Sequence, residues 1–293
     1  MSKYLVQNGT YLRNGPGLWH LGDYNFRHLF SGYATLVRLH IENGRLIMGH
    51  RQIESEAYKA AKKTNKVCHR EFSESPYESN NFLSYIGRMA KLFTGALLPD
   101  NANIGVFKLG DDRVICLAET INGSIVVDPT TLETIGRFEY DDSLGQLIQS
   151  PHPIVTDEEF ITVLPDLINP GYTVVRTEPG RNERKFIGRV DCRGGPAPGW
   201  LHSFSVTERY VIVPEMPLRY CPQNLIRVRA ANESSRSSRV RAGSSRNRAR
   251  TRVQNIKLVS SQADSRVRVY IYIYIYIYFF FIFLILSIYI FIF

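Results

Sequence analysis

The sequence has few cysteines and none arranged as a pair. Four cysteines are scattered through 293 residues, with no C-x-x-C spacing between any two of them. This scarcity excludes the usual zinc-ribbon spacing and the dense disulfide framework of small secreted domains. We therefore expect reduced thiols, held in a core, at Cys68, Cys116, Cys192 and Cys221.

The start of the chain also lacks a visible targeting segment. Residues 1–16, MSKYLVQNGTYLRNGP, contain neither the apolar run of a signal peptide nor an Arg/Ser-rich amphipathic leader. We therefore expect no export signal and no transit peptide within this chain.

The main body of the chain lacks the basic charge that the composition suggests. The formal net charge is +9, but residues 225–293 hold eleven arginines and one lysine against Glu233 and Asp264, a net of +10. Residues 1–224 are therefore nearly neutral, at −1. No aromatic platform accompanies the basic stretch, so we expect no nucleic-acid partner.

Short strand-like runs follow one another from residue 33 onward. Residues 33–53 contain two runs around Asn43-Gly44, a strong hairpin signal. Further runs flank Gly110-Asp111-Asp112 and Asn122-Gly123, and the pattern continues to about residue 215. Residues 54–63 and 80–98 have the composition and apolar spacing of helices. This pattern predicts a mostly-β fold with short helical insertions, and it does not choose between a sandwich, a barrel and a propeller.

The composition changes near residue 225, which predicts three regions: 1–224, 225–268 and 269–293. Residues 225–268 are rich in Ser and Arg and poor in apolar side chains. Such a segment cannot bury enough surface to offset its ordering entropy, so we interpret it as disordered.

The last 25 residues, VYIYIYIYIYFFFIFLILSIYIFIF, carry no charge at all. Their length is sufficient for a membrane-inserting segment, and basic residues precede them. Their strict Tyr/Ile alternation is the period of a β-strand. A TA dinucleotide repeat followed by a poly-T tract would also encode this stretch, which suggests a spurious tail of non-coding origin. These alternatives stay open.

Histidines are the candidate metal ligands. His20, His28, His40, His50 and His69 lie in contexts typical of surface or satisfied core residues. His152 lies between two prolines, which fix the local backbone. His202 follows a Gly/Pro-rich turn and precedes a strand-like run. Fifty residues separate the two, a plausible length for one propeller blade, but the spacing alone does not make them ligands.

Five stretches together resemble one known family. They are YLRNGPGLWH (11–20), HLFSGYATLVRL (28–39), LAETINGSIVVDPTTLETIG (117–136), the His-Pro pair (152–153) and GWLHSFSVTERYVIVPEMPL (199–218). Over about residues 8–224 the chain resembles the carotenoid cleavage oxygenases, and the segments GLWH, AYKAAKK and EMPLRY are similar to the carlactone-forming plant branch of that family.

The resemblance implies a seven-bladed β-propeller, of which this chain would contain about three blades. It also implies a non-haem Fe(II) ion held by four histidines on the propeller axis. His152 matches the first ligand and His202 the second. Glu119 matches a carboxylate that accepts a hydrogen bond from a ligand imidazole.

The resemblance further implies a reaction and a location. An apocarotenoid and O2 would be the reactants, and one polyene double bond would be cleaved oxidatively, in the strigolactone pathway. For the intact protein of this branch, the resemblance implies action in the plastid. It also implies contact with a membrane surface, from which lipophilic substrates are reached.

The sequence departs from the family pattern after residue 202, because no histidine follows it. We therefore expect the chain to lack two of the four iron ligands. By itself it should neither hold iron tightly nor cleave apocarotenoids. A catalytically inactive partial propeller, acting as a tail-anchored or binding module, is the alternative.

Overall fold

A computed structural model describes most of the predicted propeller region. It covers residues 8–72, 98–144, 147–193 and 197–220, together with the backbone of Arg268 and Val269. The second predicted helix, nearly all of the Arg/Ser-rich segment and the Tyr/Ile/Phe tail lie outside the described residues.

Short strands dominate the described part of the chain, as the sequence predicts. The strands are β1 (Gly9–Leu18), β2 (His20–Leu21), β3 (Tyr24–Asn25), β4 (Tyr33–Glu42), β5 (Arg45–Gln52), β6 (Gly105–Lys108), β7 (Val114–Leu117), β8 (Ser124–Val127), β9 (Thr134–Arg137), β10 (Ile154–Val155), β11 (Phe160–Asp166), β12 (Gly171–Thr177), β13 (Lys185–Asp191), β14 (Ser205–Val206), β15 (Tyr210–Ile212) and β16 (Arg268–Val269). Over the described ranges, the helices are α1 (Glu56–Thr64) and two 3-10 turns, Leu29–Ser31 and Ile121–Gly123.

The strands form a series of antiparallel sheets in chain order. β1, β4 and β5 form a three-stranded sheet, while β6–β9 and β10–β13 form two four-stranded sheets with neighbouring strands paired in sequence. A four-stranded meander of this kind is the blade of a β-propeller. β14 and β15 begin a further sheet, to which β16 adds in parallel. The mostly-β, partial-propeller prediction is confirmed.

Local sequence explains two predicted elements, the β4–β5 hairpin and helix α1. Asn43 and Gly44 have positive φ angles of 49° and 74°, which the tight β4–β5 hairpin requires. Helix α1 begins where the Ser55 hydroxyl accepts a hydrogen bond from the Tyr58 backbone N–H at 3.1 Å. The helix ends at Asn65, whose left-handed conformation is typical of a C-terminal cap.

Apolar clusters join each sheet to the next. Ala34 and Leu36 of β4 pack with Cys116 of β7, and Ile115 of β7 packs with Phe160 of β11. A third cluster joins β11 and β12 to the segment that includes β15, through Val163, Val174, Leu201, Phe204 and Val211. Because both faces of the middle sheets are covered, all seven residues of β11 are buried. This stacking fixes the connections between the sheets relative to one another.

Within the described residues, no helix has the length and apolar character that a membrane crossing requires.

An ion pair between Asp142 and Arg184 ties the connection after β9 to the start of β13. The guanidinium donates to both carboxylate oxygens, at 2.6 and 2.7 Å, and the Arg184 backbone N–H donates at 2.9 Å. The two side chains are only 7% and 4% exposed. Burial by itself raises the pKa of Asp142, but the hydrogen bonds from Arg184 outweigh it and lower that pKa.

We predict that Asp142→Asn lowers the free energy of unfolding by about 3 kcal/mol, because it leaves a buried guanidinium without a counter-charge. Urea unfolding of both chains measures the difference. Glu178→Gln is the matched control, since its pair with Lys185 is about two-fifths exposed on each side and should contribute less than about 1 kcal/mol. Equal effects of the two substitutions would contradict the prediction.

The same substitution should change the acid sensitivity of the fold. Because the pKa of Asp142 is lower in the folded chain than its usual 3.8, its contribution is complete above that value and is lost as the pH falls through the folded pKa. In the Asp142→Asn chain, the free energy of unfolding should not show this loss as the pH falls.

Candidate metal centre

His152 and His202 face each other, although fifty residues separate them in the sequence. Their Nε2 atoms lie 3.0 Å apart, and the ring centroids are 4.6 Å apart with the planes inclined by 69°. A parallel β-bridge between His152 and Ser203 places the two segments side by side. The structure therefore brings together the two histidines that the sequence singled out.

Prolines and a buried hydrogen bond restrict the segment around His152. Pro151 and Pro153 restrict the backbone on both sides of the histidine. The fully buried Ser150 donates from its hydroxyl to the backbone carbonyl of His202 at 2.8 Å. These constraints fix where the His152 ring emerges and couple its segment directly to that of His202.

Glu119 completes the arrangement from a third segment of the chain. Its Oε1 atom lies 3.0 Å from Nδ1 of His202, and its side chain is 13% exposed. An ionised carboxylate only accepts hydrogen bonds, so of the two neutral tautomers it selects the one with the proton on Nδ1. In that tautomer Nε2 of His202 presents its lone pair towards His152.

The position of Glu119 is set by the second blade. The residue follows β7, and its backbone carbonyl accepts a hydrogen bond from the Gln149 N–H at 2.9 Å. Gln149 is buried and lies three residues before His152. One backbone contact thus links the carboxylate to the segment of the first histidine.

His152 is neutral over the physiological pH range. Burial, followed by the electrostatic influence of the neighbouring His202, lowers the pKa of His152 to about 4. A neutral imidazole is the form that binds a metal ion.

The pair fits the geometry of two adjacent ligands to one ion. Imidazole nitrogens bind zinc-sized ions at about 2.1 Å, and two such bonds at a right angle place the nitrogens about 3.0 Å apart. At the same separation the rings can instead share one proton. A carboxylate on the outer nitrogen is typical of metal-binding histidines, and imidazole suits Fe, Zn, Cu and Ni.

No third ligand joins the pair in the part of the chain that the structure describes. There, no group of three or more His, Cys, Asp or Glu side chains is arranged to hold a metal ion. Glu119 contacts Nδ1 of His202, on the side of the ring opposite His152. It therefore orients that ring and does not enter the space between the two Nε2 atoms.

The remaining histidines stay apart from this pair and have ordinary environments. His20 contacts Asn25, and His40 contacts Thr10, each at 2.8 Å. His28 accepts from the backbone N–H of Phe30. His50 and His69 are exposed.

Sequence reasoning missed Trp200, which also contacts the candidate centre. Its indole N–H donates to Glu119 Oε1 at 2.8 Å. A signal for this was present, because Trp200 and His202 are two residues apart and precede a strand. In extended backbone, such residues lie on the same face.

Comparison with known proteins places most of the chain in one family. Residues 4–263 match the family model described as RPE65, retinal pigment epithelial membrane protein. The rice protein "Carotenoid cleavage dioxygenase 8 homolog B, chloroplastic" is 68% identical over 220 residues, which are 75% of this chain and 38% of that protein. The Arabidopsis thaliana protein "Carotenoid cleavage dioxygenase 8, chloroplastic" is 61% identical over 225 residues, 75% of this chain and 40% of that protein.

Solved structures show the same fold. The cobalt-substituted apocarotenoid oxygenase of Synechocystis superposes with a TM-score of 0.53 at 22% identity, over 71% of this chain and 43% of that chain. This chain spans about two-fifths of the length of the curated relatives it matches. It belongs to the RPE65 family of carotenoid oxygenases.

Proposed function

We propose that this chain carries half of the metal centre of a carotenoid cleavage dioxygenase, and that the resident metal is Fe(II). The observation that carries the proposal is the contact chain from His152 through His202 to Glu119. Two imidazole nitrogens face a common point, and a carboxylate holds the second ring from behind. In the proposal, His152 and His202 bind the ion and Glu119 orients His202.

The residues around the ion have separate tasks in this proposal. A bound Fe(II) ion would supply the site at which O2 and a conjugated double bond react. Pro151, Pro153 and Ser150 keep His152 in place, and Leu201 and Phe204, on either side of His202 in the sequence, anchor its segment in an apolar cluster. His152 does not have to lose a proton to bind, because it is already neutral at physiological pH.

The named relatives and the sequence resemblance support a proposal for the substrate and the location. We propose an apocarotenoid as the organic substrate, with carlactone formation in the strigolactone pathway as the specific activity. The relatives are named chloroplastic, so we propose the plastid as the site of action, with membrane contact as the route to a lipophilic substrate. The other two ligands would come from the part of the relatives that this chain does not cover.

We predict that Glu119→Gln weakens Co(II) binding to the chain about 10- to 100-fold, the usual effect of removing the carboxylate behind a ligand histidine. Isothermal titration with Co(II) gives the dissociation constant. His152→Ala and His202→Ala should remove saturable binding altogether. Glu133→Gln is the matched control, because that exposed carboxylate pairs with Arg51 on the surface. Unchanged affinity in both histidine variants would contradict the proposed centre.

We also predict that the chain alone loses Fe(II) during gel filtration and does not cleave an apocarotenal. Two imidazoles leave the remaining coordination positions to water, which exchanges readily. Iron analysis of anaerobically loaded chain measures retention. One iron per chain after gel filtration would show that the described residues bind more strongly than a two-histidine site allows.

The transcript offers an independent test of the proposed whole protein. We expect full-length cDNA, sequenced across the codons for Asn224 to Ser260, to continue into a sequence that encodes further histidines. A mature message that encodes the Arg/Ser-rich segment and the Tyr/Ile run instead would contradict the dioxygenase proposal for this product. It would favour the non-catalytic, tail-anchored or binding module.

A further inference from the structure

The Trp200 indole shares one carboxylate oxygen with His202. Its Nε1–H donates to Oε1 of Glu119 at 2.8 Å, and Nδ1 of His202 lies 3.0 Å from the same atom. Two donors from one extended segment therefore converge on a single acceptor. A carboxylate held by two donors has fewer accessible rotations than one held by a single donor.

The backbone of Trp200 is fixed at the position that this contact needs. Its N–H donates to the Leu218 carbonyl at 2.7 Å. The preceding Gly199 N–H donates to the Tyr172 hydroxyl at 2.6 Å, and Gly199 also forms a β-bridge with Arg219. These contacts hold the segment that carries both the indole and the second histidine.

Two aromatic neighbours fix the direction of the indole ring. Tyr220 stacks on Trp200 with centroids 5.1 Å apart and planes inclined by 20°. Phe72 meets the same ring edge to face at 5.7 Å. With both contacts in place, the ring cannot turn its N–H away from Glu119 without losing aromatic packing.

We propose that Trp200 is a positioning residue of the centre: its indole N–H holds Glu119 so that the carboxylate fixes the ring angle and tautomer of His202. The inference rests on the proposed metal centre and deepens it. A phenyl ring at position 200 would keep the packing with Tyr220 and Phe72 but could not restrain the carboxylate. The Nε2 lone pair of His202 would then be less well aligned with His152.

A double-mutant cycle on Co(II) affinity tests this role in the full chain. Trp200→Phe should weaken Co(II) binding about tenfold, at the lower end of the effect of outer-sphere partners. In a Glu119→Ala background the same substitution should have no further effect, because the group through which it acts is gone. An equal loss in both backgrounds would mean that Trp200 acts by packing alone, and it would overturn the proposal, as would wild-type affinity in Trp200→Phe.

Trp19→Phe is the matched control for this cycle. It removes the only other tryptophan of the chain, whose indole N–H donates to the Leu29 carbonyl at 2.9 Å. Its Co(II) affinity should equal that of the wild type. Thermal unfolding of both variants shows whether either substitution disturbs the fold.

A second readout needs no metal and separates this proposal from the proposed function. In the metal-free chain, ¹⁵N shifts of the His202 ring report the population of the tautomer protonated on Nδ1. We expect this population to fall in Trp200→Phe and to stay unchanged in Trp19→Phe. If the histidine variants still bind Co(II) as the wild type does, the metal centre is wrong, and a tautomer shift would nevertheless support positioning by Trp200. An unchanged tautomer population in Trp200→Phe would overturn the proposed role of Trp200.

Discussion

The hydrogen bond between Glu119 and His202 is the contact on which the candidate centre depends. Without a carboxylate behind it, an imidazole beside a second imidazole has two tautomers and free rotation about its side-chain torsions. With Glu119 Oε1 at 3.0 Å from Nδ1, one tautomer and one ring angle are selected. The remaining nitrogen then faces His152. In the proposed centre, this contact would distinguish a pair of ligands from two neighbouring histidines.

Sheet packing makes that contact possible, because the three residues come from three separate connections: Glu119 from a connection within one sheet, and His152 and His202 from connections between successive sheets. Glu119 follows β7, His152 precedes β10 and His202 precedes β14. The clusters that join β7 to β11, and β11 to the β15 segment, hold these connections at a fixed separation. Since close-packed cores resist small displacements, the polar geometry of the centre is maintained by apolar contacts some distance away from it.

Sequence reasoning succeeded where the cause was local. The Asn43-Gly44 hairpin and helix α1 follow from conformational preferences of a few residues, and both formed as predicted. The proximity of His152 and His202 is different, since periodicity gives no information about which of several stacked sheets bring two loops together. Family resemblance supplied that pairing. The two-residue spacing of Trp200 and His202 indicated a shared face, but the Trp200 contact was missed because its partner Glu119 lies in the β7–β8 connection of another sheet.

Anomalous diffraction from crystals of the chain grown with excess Co(II) tests the central claim most directly. The account predicts one cobalt peak within bonding distance of Nε2 of both His152 and His202, with Glu119 still on Nδ1 of His202. Crystals in which the two rings remain hydrogen-bonded to each other, with cobalt absent or bound elsewhere, would contradict it.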